Sequence, residues 1–309
     1  MEASRLTSPA PVERAVVARG WTAHGVRQLV ADYVTLTKPR VQLLLLLTTV
    51  ATMEVAGSPS LGLILLTLLG GALSAGGAGA VNHWYDRDID VRMARTATRP
   101  IPAGRISPRA ALTFGIALAV LSFVQLSLTV NVLAAALALS GFLGYVFVYT
   151  LWLKRSTPQN IVIGGAAGAV PPLVGWAATR GSLDPAALYL FAIVFYWTPP
   201  HFWALSLLMK DEYAKVEIPM LPVVRGEDET RRQITLYSVL LVAITLLPFA
   251  GRLFDGIYAL AAGLLGAVFL AFAVRLQRRP GRRAALRLYL FSLLYLALLF
   301  AAMVADVKL

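Results

Sequence analysis

Cysteine is absent from the chain. That excludes disulfide frameworks, thiolate metal sites and cysteine nucleophiles together. Histidine is scarce, three residues in 309, so any metal is left to oxygen ligands or to those three rings. Charge is scarce as well. Only 14% of residues are Asp, Glu, Lys or Arg, 58% are hydrophobic, and the mean hydropathy is +0.70. A soluble globule cannot be coated with so little polar surface, and the chain reads as an integral membrane protein.

What charge there is leans basic, 28 Lys and Arg against 16 Asp and Glu, a net of +12. In a polytopic membrane protein such an excess orients loops rather than binding nucleic acid, and no nucleic-acid partner is expected. Nine apolar stretches are close to the ~20 residues a bilayer core requires. They cover roughly 41–57, 61–81, 110–129, 132–152, 161–178, 185–208, 234–250, 256–274 and 286–305. With the N-terminus on the cytoplasmic side, 25 of the 28 basic residues fall on that side, leaving only Arg180, Arg252 and Lys308 opposite. The expectation is an all-α membrane protein with about nine transmembrane helices around a central cavity that opens to the cytoplasmic side.

Residues 1–39 carry Arg5, Arg14, Arg19 and Arg27, but also Glu2, Glu13 and Asp32. That mixture reads as a basic cytoplasmic arm rather than a transit peptide. Residues 40–309 form the polytopic domain. Two long inner loops, 82–109 and 210–232, each carry an acidic cluster, which hints at an internal duplication.

The first acidic cluster, NHWYDRDID at 82–90, follows 21 residues without a charge. If the second span continues helically to 90, Asn82, Asp86 and Asp90 recur at i, i+4 and i+8 on one face, and Asp88 points away. Such carboxylates can cap a helix and pair with Arg87, Arg92 and Arg95. Like charges four apart nevertheless repel unless a cation holds them. Two carboxylates and an amide are oxygen ligands suited to Mg²⁺, which commonly bridges carboxylates to phosphate oxygens. Downstream, Arg95 and Arg99 are also spaced by four, and their guanidinium forks match a diphosphate.

NHWYDRDID followed by RTATRP resembles the first aspartate-rich motif of the intramembrane aromatic prenyltransferases, the superfamily of the 4-hydroxybenzoate polyprenyltransferases. TKPRV (37–41), YTLWLKRSTPQNIVIGGAAGAVPPLVGW (149–176), TPPHFWALSLLMKDEY (198–213) and IPMLPVV (218–224) narrow the likeness to its haem-farnesylating branch. The resemblance implies farnesyl diphosphate and haem b as substrates, haem O as product, Mg²⁺ as cofactor and the cell (inner) membrane as location. It also implies haem A synthase or terminal-oxidase assembly factors as partners beyond the lipid bilayer. A quinone, chlorophyllide or 4-hydroxybenzoate acceptor is the alternative within the superfamily, and a transporter the alternative outside it.

The same resemblance assigns roles. Asn82, Asp86, Asp90 and Asp211 are implied metal ligands, and these with Glu212 form the catalytic set. Lys215 stands where many members complete a second D-x3-D, which leaves the second metal site open. Tyr149, Lys154 and Arg155 join Arg95 and Arg99 as diphosphate contacts, and Asn160 beside them is implied to bind the acceptor. The pairs Pro171-Pro172 and Pro199-Pro200 remove helical hydrogen bonds inside apolar spans, so broken helices are expected to line the cavity there. His201, flanked by Tyr196, Trp197, Phe202 and Trp203, is expected at the acceptor.

Overall fold

The computed structural model describes residues 23–309, so most of the expected N-terminal arm lies outside the described residues. Fourteen α-helices and no strand occur among the described residues. The N-terminal part comprises α1 (Ala23–Leu36), α2 (Pro39–Ala56), α3 (Leu61–Tyr85), α4 (Arg87–Asp90), α5 (Pro108–Thr129), α6 (Val132–Leu143), α7 (Asn160–Gly168) and α8 (Val170–Arg180). Then follow α9 (Pro185–Leu208), α10 (Lys210–Lys215), α11 (Leu221–Val224), α12 (Gly226–Ala250), α13 (Gly256–Arg278) and α14 (Arg282–Lys308).

Side-chain caps set where several of these helices begin. Ser60, Ser107 and Asn131 accept from the amides of Leu63, Ala110 and Ala134, and Asp184 accepts from Ala186. Pro39, Pro108 and Pro185 open their helices at positions that need no donor. Glycine sets how closely α3 and α5 approach. A Cβ on Gly77 would lie 2.6 Å from the Gly115 carbonyl oxygen, so the two backbones touch only because both residues lack one.

Eight helical segments are long and apolar enough to cross a membrane: Pro39–Ala56, Leu61–Tyr85, Pro108–Thr129, Val132–Arg155, Asn160–Arg180, Gly226–Ala250, Gly256–Arg278 and Arg282–Lys308. The chain is a multi-pass membrane protein. The expected count of nine is not met on this criterion. The missing segment is α9, which has the length, 24 residues, but carries Thr198, Pro199, Pro200 and His201 in its second half. Those polar and imino residues face the protein interior: all four are buried, along with Leu190, Ile193, Trp197 and Trp203. α9 is thus the central helix, packed against α7, α8, α12 and α14.

The two proline pairs behave differently. Pro171-Pro172 coincide with a true break, because α7 ends at Gly168 and α8 restarts at Val170. Pro199-Pro200 do not break α9, which stays helical from 185 to 208. The pair removes the amides that would serve the Phe195 and Tyr196 carbonyls. Packing on every side holds the helix together, and Thr198 Oγ1 bonds to Val194 O at 2.8 Å. The span beginning with α6 passes into a π-helical segment, Gly144–Trp152, and a short 3₁₀ turn, Leu153–Arg155. Such wide turns often sit at functional sites. This one delivers Tyr145, Tyr149, Thr150, Lys154 and Arg155 beside the end of α3.

Candidate active site

α3 does not run unbroken to residue 90. It ends at Tyr85, and Asp86 is a joint with φ −79° and ψ 2° between α3 and α4. The joint keeps the helical hydrogen bonds Asp86 N to Asn82 O (2.9 Å) and Asp90 N to Asp86 O (2.8 Å), so the four-residue spacing survives the bend. Asn82, Asp86 and Asp90 are all buried, with 3% or less exposure, whereas the Asp88 side chain is 60% exposed.

Each member of the triplet meets a cation. Asn82 Oδ1 accepts from Lys38 Nζ at 2.5 Å, and its Nδ2 donates to Asp86 Oδ2 at 2.8 Å and to Thr150 Oγ1 at 3.3 Å. Lys154 Nζ binds the same Asp86 oxygen. Arg99 Nη1 donates to both oxygens of Asp90, at 2.9 and 2.7 Å. Arg155 forks onto Asp88 at 2.7 Å twice and stands 3.6 Å from Asp86 Oδ1. The bonds from Arg155 hold the Asp88 carboxyl below its usual range. None of Arg87, Arg92 and Arg95 pairs with these carboxylates. Arg87 lies over the Trp84 ring instead, and Arg92 bonds to Lys215 O at 2.7 Å.

Asp86 Oδ1 is fully buried and has no hydrogen-bond partner. Asn160, wholly buried, supports this corner through Nδ2 to Lys154 O at 3.4 Å, and its Oδ1 is likewise without a partner. Tyr149 packs against Tyr145, the rings tilted by 35° at 5.3 Å, and fits because residue 164 is glycine, where a Cβ would meet the ring at 2.5 Å.

Asp211 and Glu212 lie on α10 and bond to no member of the triplet. With Ala94, Arg95, Leu208, Met209, Lys215 and Arg282 they line an open cavity of about 450 Å³. Glu212 accepts from Ala94 N at 3.1 Å and pairs with Lys215 at 3.5 Å, which latches the two inner loops together. Asp211 has no ion pair among the described residues. Likewise, among the described residues no group of three or more His, Cys, Asp or Glu side chains is arranged to hold a metal. His201 lies on α9, bonded and stacked to residues of α9 and α14 and in contact with none of the carboxylates.

Four residues at this site were not singled out by sequence reasoning, Tyr145 and Thr150 of the π-helical segment among them. Lys38, in the left-handed conformation (φ 55°) before α2, touches Asn82 and Tyr145, and burial together with Arg99 and Lys154 pushes its ammonium down to about 7. Tyr213 on α10 is half-buried. Burial raises its phenol while Arg95 and Arg99 pull it back, which sets it within electrostatic reach of both arginines and of Asp86. A lysine directly before the first span was the available signal for Lys38. For Tyr213 it was the KDEY stretch.

Residues 43–301 match the UbiA prenyltransferase family. The chain belongs to that family. It is 54% identical over 284 residues to a protoheme IX farnesyltransferase of Symbiobacterium thermophilum, covering 91% of this chain and 95% of the relative. Proteins of the same name from a Roseiflexus species and from Chloroflexus aurantiacus are 52% and 55% identical over 97% and 91% of this chain. The chain spans only 57% and 48% of those two relatives. Among solved structures, a digeranylgeranylglyceryl phosphate synthase superimposes with a TM-score of 0.75 at 18% identity, covering 91% of this chain and 99% of that one. A UbiA homolog from Archaeoglobus fulgidus bound to DMAPP and Mg²⁺ gives 0.66 at 20% identity over 88% of this chain and 99% of its own. These likenesses extend the UbiA fold along the whole bundle.

Proposed function

We propose that this UbiA-family protein transfers the farnesyl group of farnesyl diphosphate to a vinyl group of haem b, giving haem O, at the inner face of a cell membrane. The relatives at about half identity carry that activity in their names. The observation that carries the chemistry is the buried Asn82–Asp86 pair, ringed by Lys38, Lys154, Arg99 and Arg155.

The donor set fits Mg²⁺. Asp86 Oδ1 is a buried carboxylate oxygen without a hydrogen-bond partner, and the remaining donors of Asn82, Asp86 and Asp90 are hard oxygens. Asn82, Asp86 and Asp90 would hold the ion, with Asp211 the candidate from the second loop. When bound, Mg²⁺ neutralises charge on the departing diphosphate. The A. fulgidus homolog with Mg²⁺ and DMAPP supports the same pairing of metal and prenyl diphosphate.

The chain's own residues do the rest. Lys154 and Arg99 now neutralise Asp86 and Asp90, and they carry the donors that phosphate oxygens take up when a diphosphate arrives. Lys38, Arg95 and Arg155 add positive charge where the leaving group gains negative charge. The allylic C–O bond breaks, diphosphate leaves with the electron pair, and the haem vinyl attacks the farnesyl cation. Tyr145, Tyr149 and Tyr213 offer ring faces that stabilise the cation without trapping it. Water then adds to the side chain and loses a proton, which gives the hydroxyethylfarnesyl group.

The test is mass spectrometry of haems extracted from a host that lacks its own haem farnesylation and expresses this chain. Farnesylated, hydrated haem is expected. Unmodified haem b alone, with the chain present in the membrane, would refute the acceptor.

A further inference from the structure

The neighbours of His201 fix its tautomer. Nδ1 lies 2.7 Å from Ser292 Oγ, and that hydroxyl lies 2.6 Å from the Tyr289 carbonyl oxygen. A carbonyl can only accept, so the single hydroxyl hydrogen of Ser292 is committed to Tyr289. Its Oγ must then accept from Nδ1–H, and Nε2 carries the lone pair.

The ring is also held in place. It stacks with Trp197 at 4.2 Å and 18° and with Tyr289 at 4.9 Å and 26°, and Phe202 meets it edge-on at 5.1 Å. Trp197 is itself tied to Ser292 O through Nε1 at 2.7 Å. Nε2 makes no hydrogen bond among the described residues. The residue as a whole is 6% exposed.

A histidine that serves only packing satisfies both nitrogens when buried. His201 instead has the arrangement of a metal-ligating imidazole, with one N–H donated to an acceptor that orients the ring and makes the other nitrogen more basic. No second or third metal-binding side chain joins it among the described residues. A lone Nε2 among aromatic rings suits a metal that brings its other ligands with it, as the iron of a porphyrin does.

We propose that His201 Nε2 binds the iron of haem b as an axial ligand, with Ser292 as the positioning residue. This rests on haem b being the acceptor. His201 lies two helical turns, about 10 Å, from the Leu208 end of α9. That end of α9 leads into α10, where Glu212 meets Ala94 after the first acidic cluster, so ligation at His201 would set how far a vinyl group reaches.

The experiment uses the full chain in lipid nanodiscs titrated with ferric and ferrous haem b, read by Soret absorbance and resonance Raman. The wild type should show an iron–imidazole signature. His201→Ala should lose it and bind haem at least about tenfold more weakly, and added imidazole should restore the signature. Ser292→Ala should keep ligation but shift the iron–imidazole stretch, because Nδ1–H loses its acceptor. A thermal shift with farnesyl diphosphate checks that each variant is folded. Should His201→Ala fail that check, the Ser292→Ala shift decides. An unchanged signature in folded His201→Ala, or no shift in Ser292→Ala, overturns the proposal. Haem O is measured on the same samples. Product formed without dependence on His201 for the signature would sink the ligation alone. A His201-dependent signature with no product would sink the farnesyl transfer alone.

Discussion

Lys154 binds one oxygen of Asp86 while the other oxygen of the same buried carboxylate has no hydrogen-bond partner. The lysine arrives from the π-helical end of its span and the aspartate from the joint after α3, 68 residues apart in sequence. Removing the lysine alone leaves a buried charge. Lys154→Met should lower the unfolding free energy by about 3 kcal/mol, and Asp86→Asn in the same chain should recover much of it. Thermal unfolding of the two single variants and the double variant measures the coupling, and strictly additive losses would count against the pair.

Lys38 is the cation that sequence reasoning passed over. Lys38→Met removes its bond to Asn82 and a positive charge facing the diphosphate. The expected result is a fall of about tenfold or more in kcat/KM for farnesyl diphosphate. Steady-state kinetics in membranes provides the check. An unchanged ratio would place Lys38 outside the site.

The approach of α3 to α5 depends on Gly77 and Gly115. Gly77→Leu should destabilise the protein by about 1–3 kcal/mol through overpacking, visible as a lower melting temperature in detergent. Gly263→Ala on α13 serves as the comparison, because a Cβ there meets nothing within 4 Å. Equal effects of the two substitutions would contradict the close contact.

Asp88 supplies a dependence on pH. Its folded-state pKa is depressed below 3.8 by the bonds from Arg155, so its contribution is fully present above that value and is lost as the pH falls through the depressed one. Melting temperature followed from about pH 5 downward should decline less in Asp88→Asn than in the wild type. The difference is small because the carboxylate is largely solvated. Parallel curves would remove Asp88 from the account.

The bundle was legible because apolar runs of span length and a one-sided basic distribution are properties of the chain alone. The Asn82, Asp86 and Asp90 stripe was legible for the same reason, since a four-residue period depends only on local geometry. The carboxylates' partners were not. The arginines nearest in sequence, Arg87 and Arg92, turn to Trp84 and Lys215 instead, and Lys154 and Lys38 reach the cluster only through the packing of other spans. The prolines split along the same line. Pro171-Pro172 end a helix, whereas Pro199-Pro200 stay inside one because α9 is enclosed by its neighbours. Broken helix was expected at both.

Asp86 would hold the divalent ion that neutralises charge on the departing diphosphate. The direct measurement is turnover of farnesyl diphosphate and haem b by wild type and Asp86→Asn in purified membranes, after chelation and across added Mg²⁺. The wild type should be inactive when chelated and recover with Mg²⁺, and Asp86→Asn should stay slower by about 10²–10³-fold at every concentration. Matching Mg²⁺ responses in the two proteins, or wild-type turnover that persists through chelation, would contradict it.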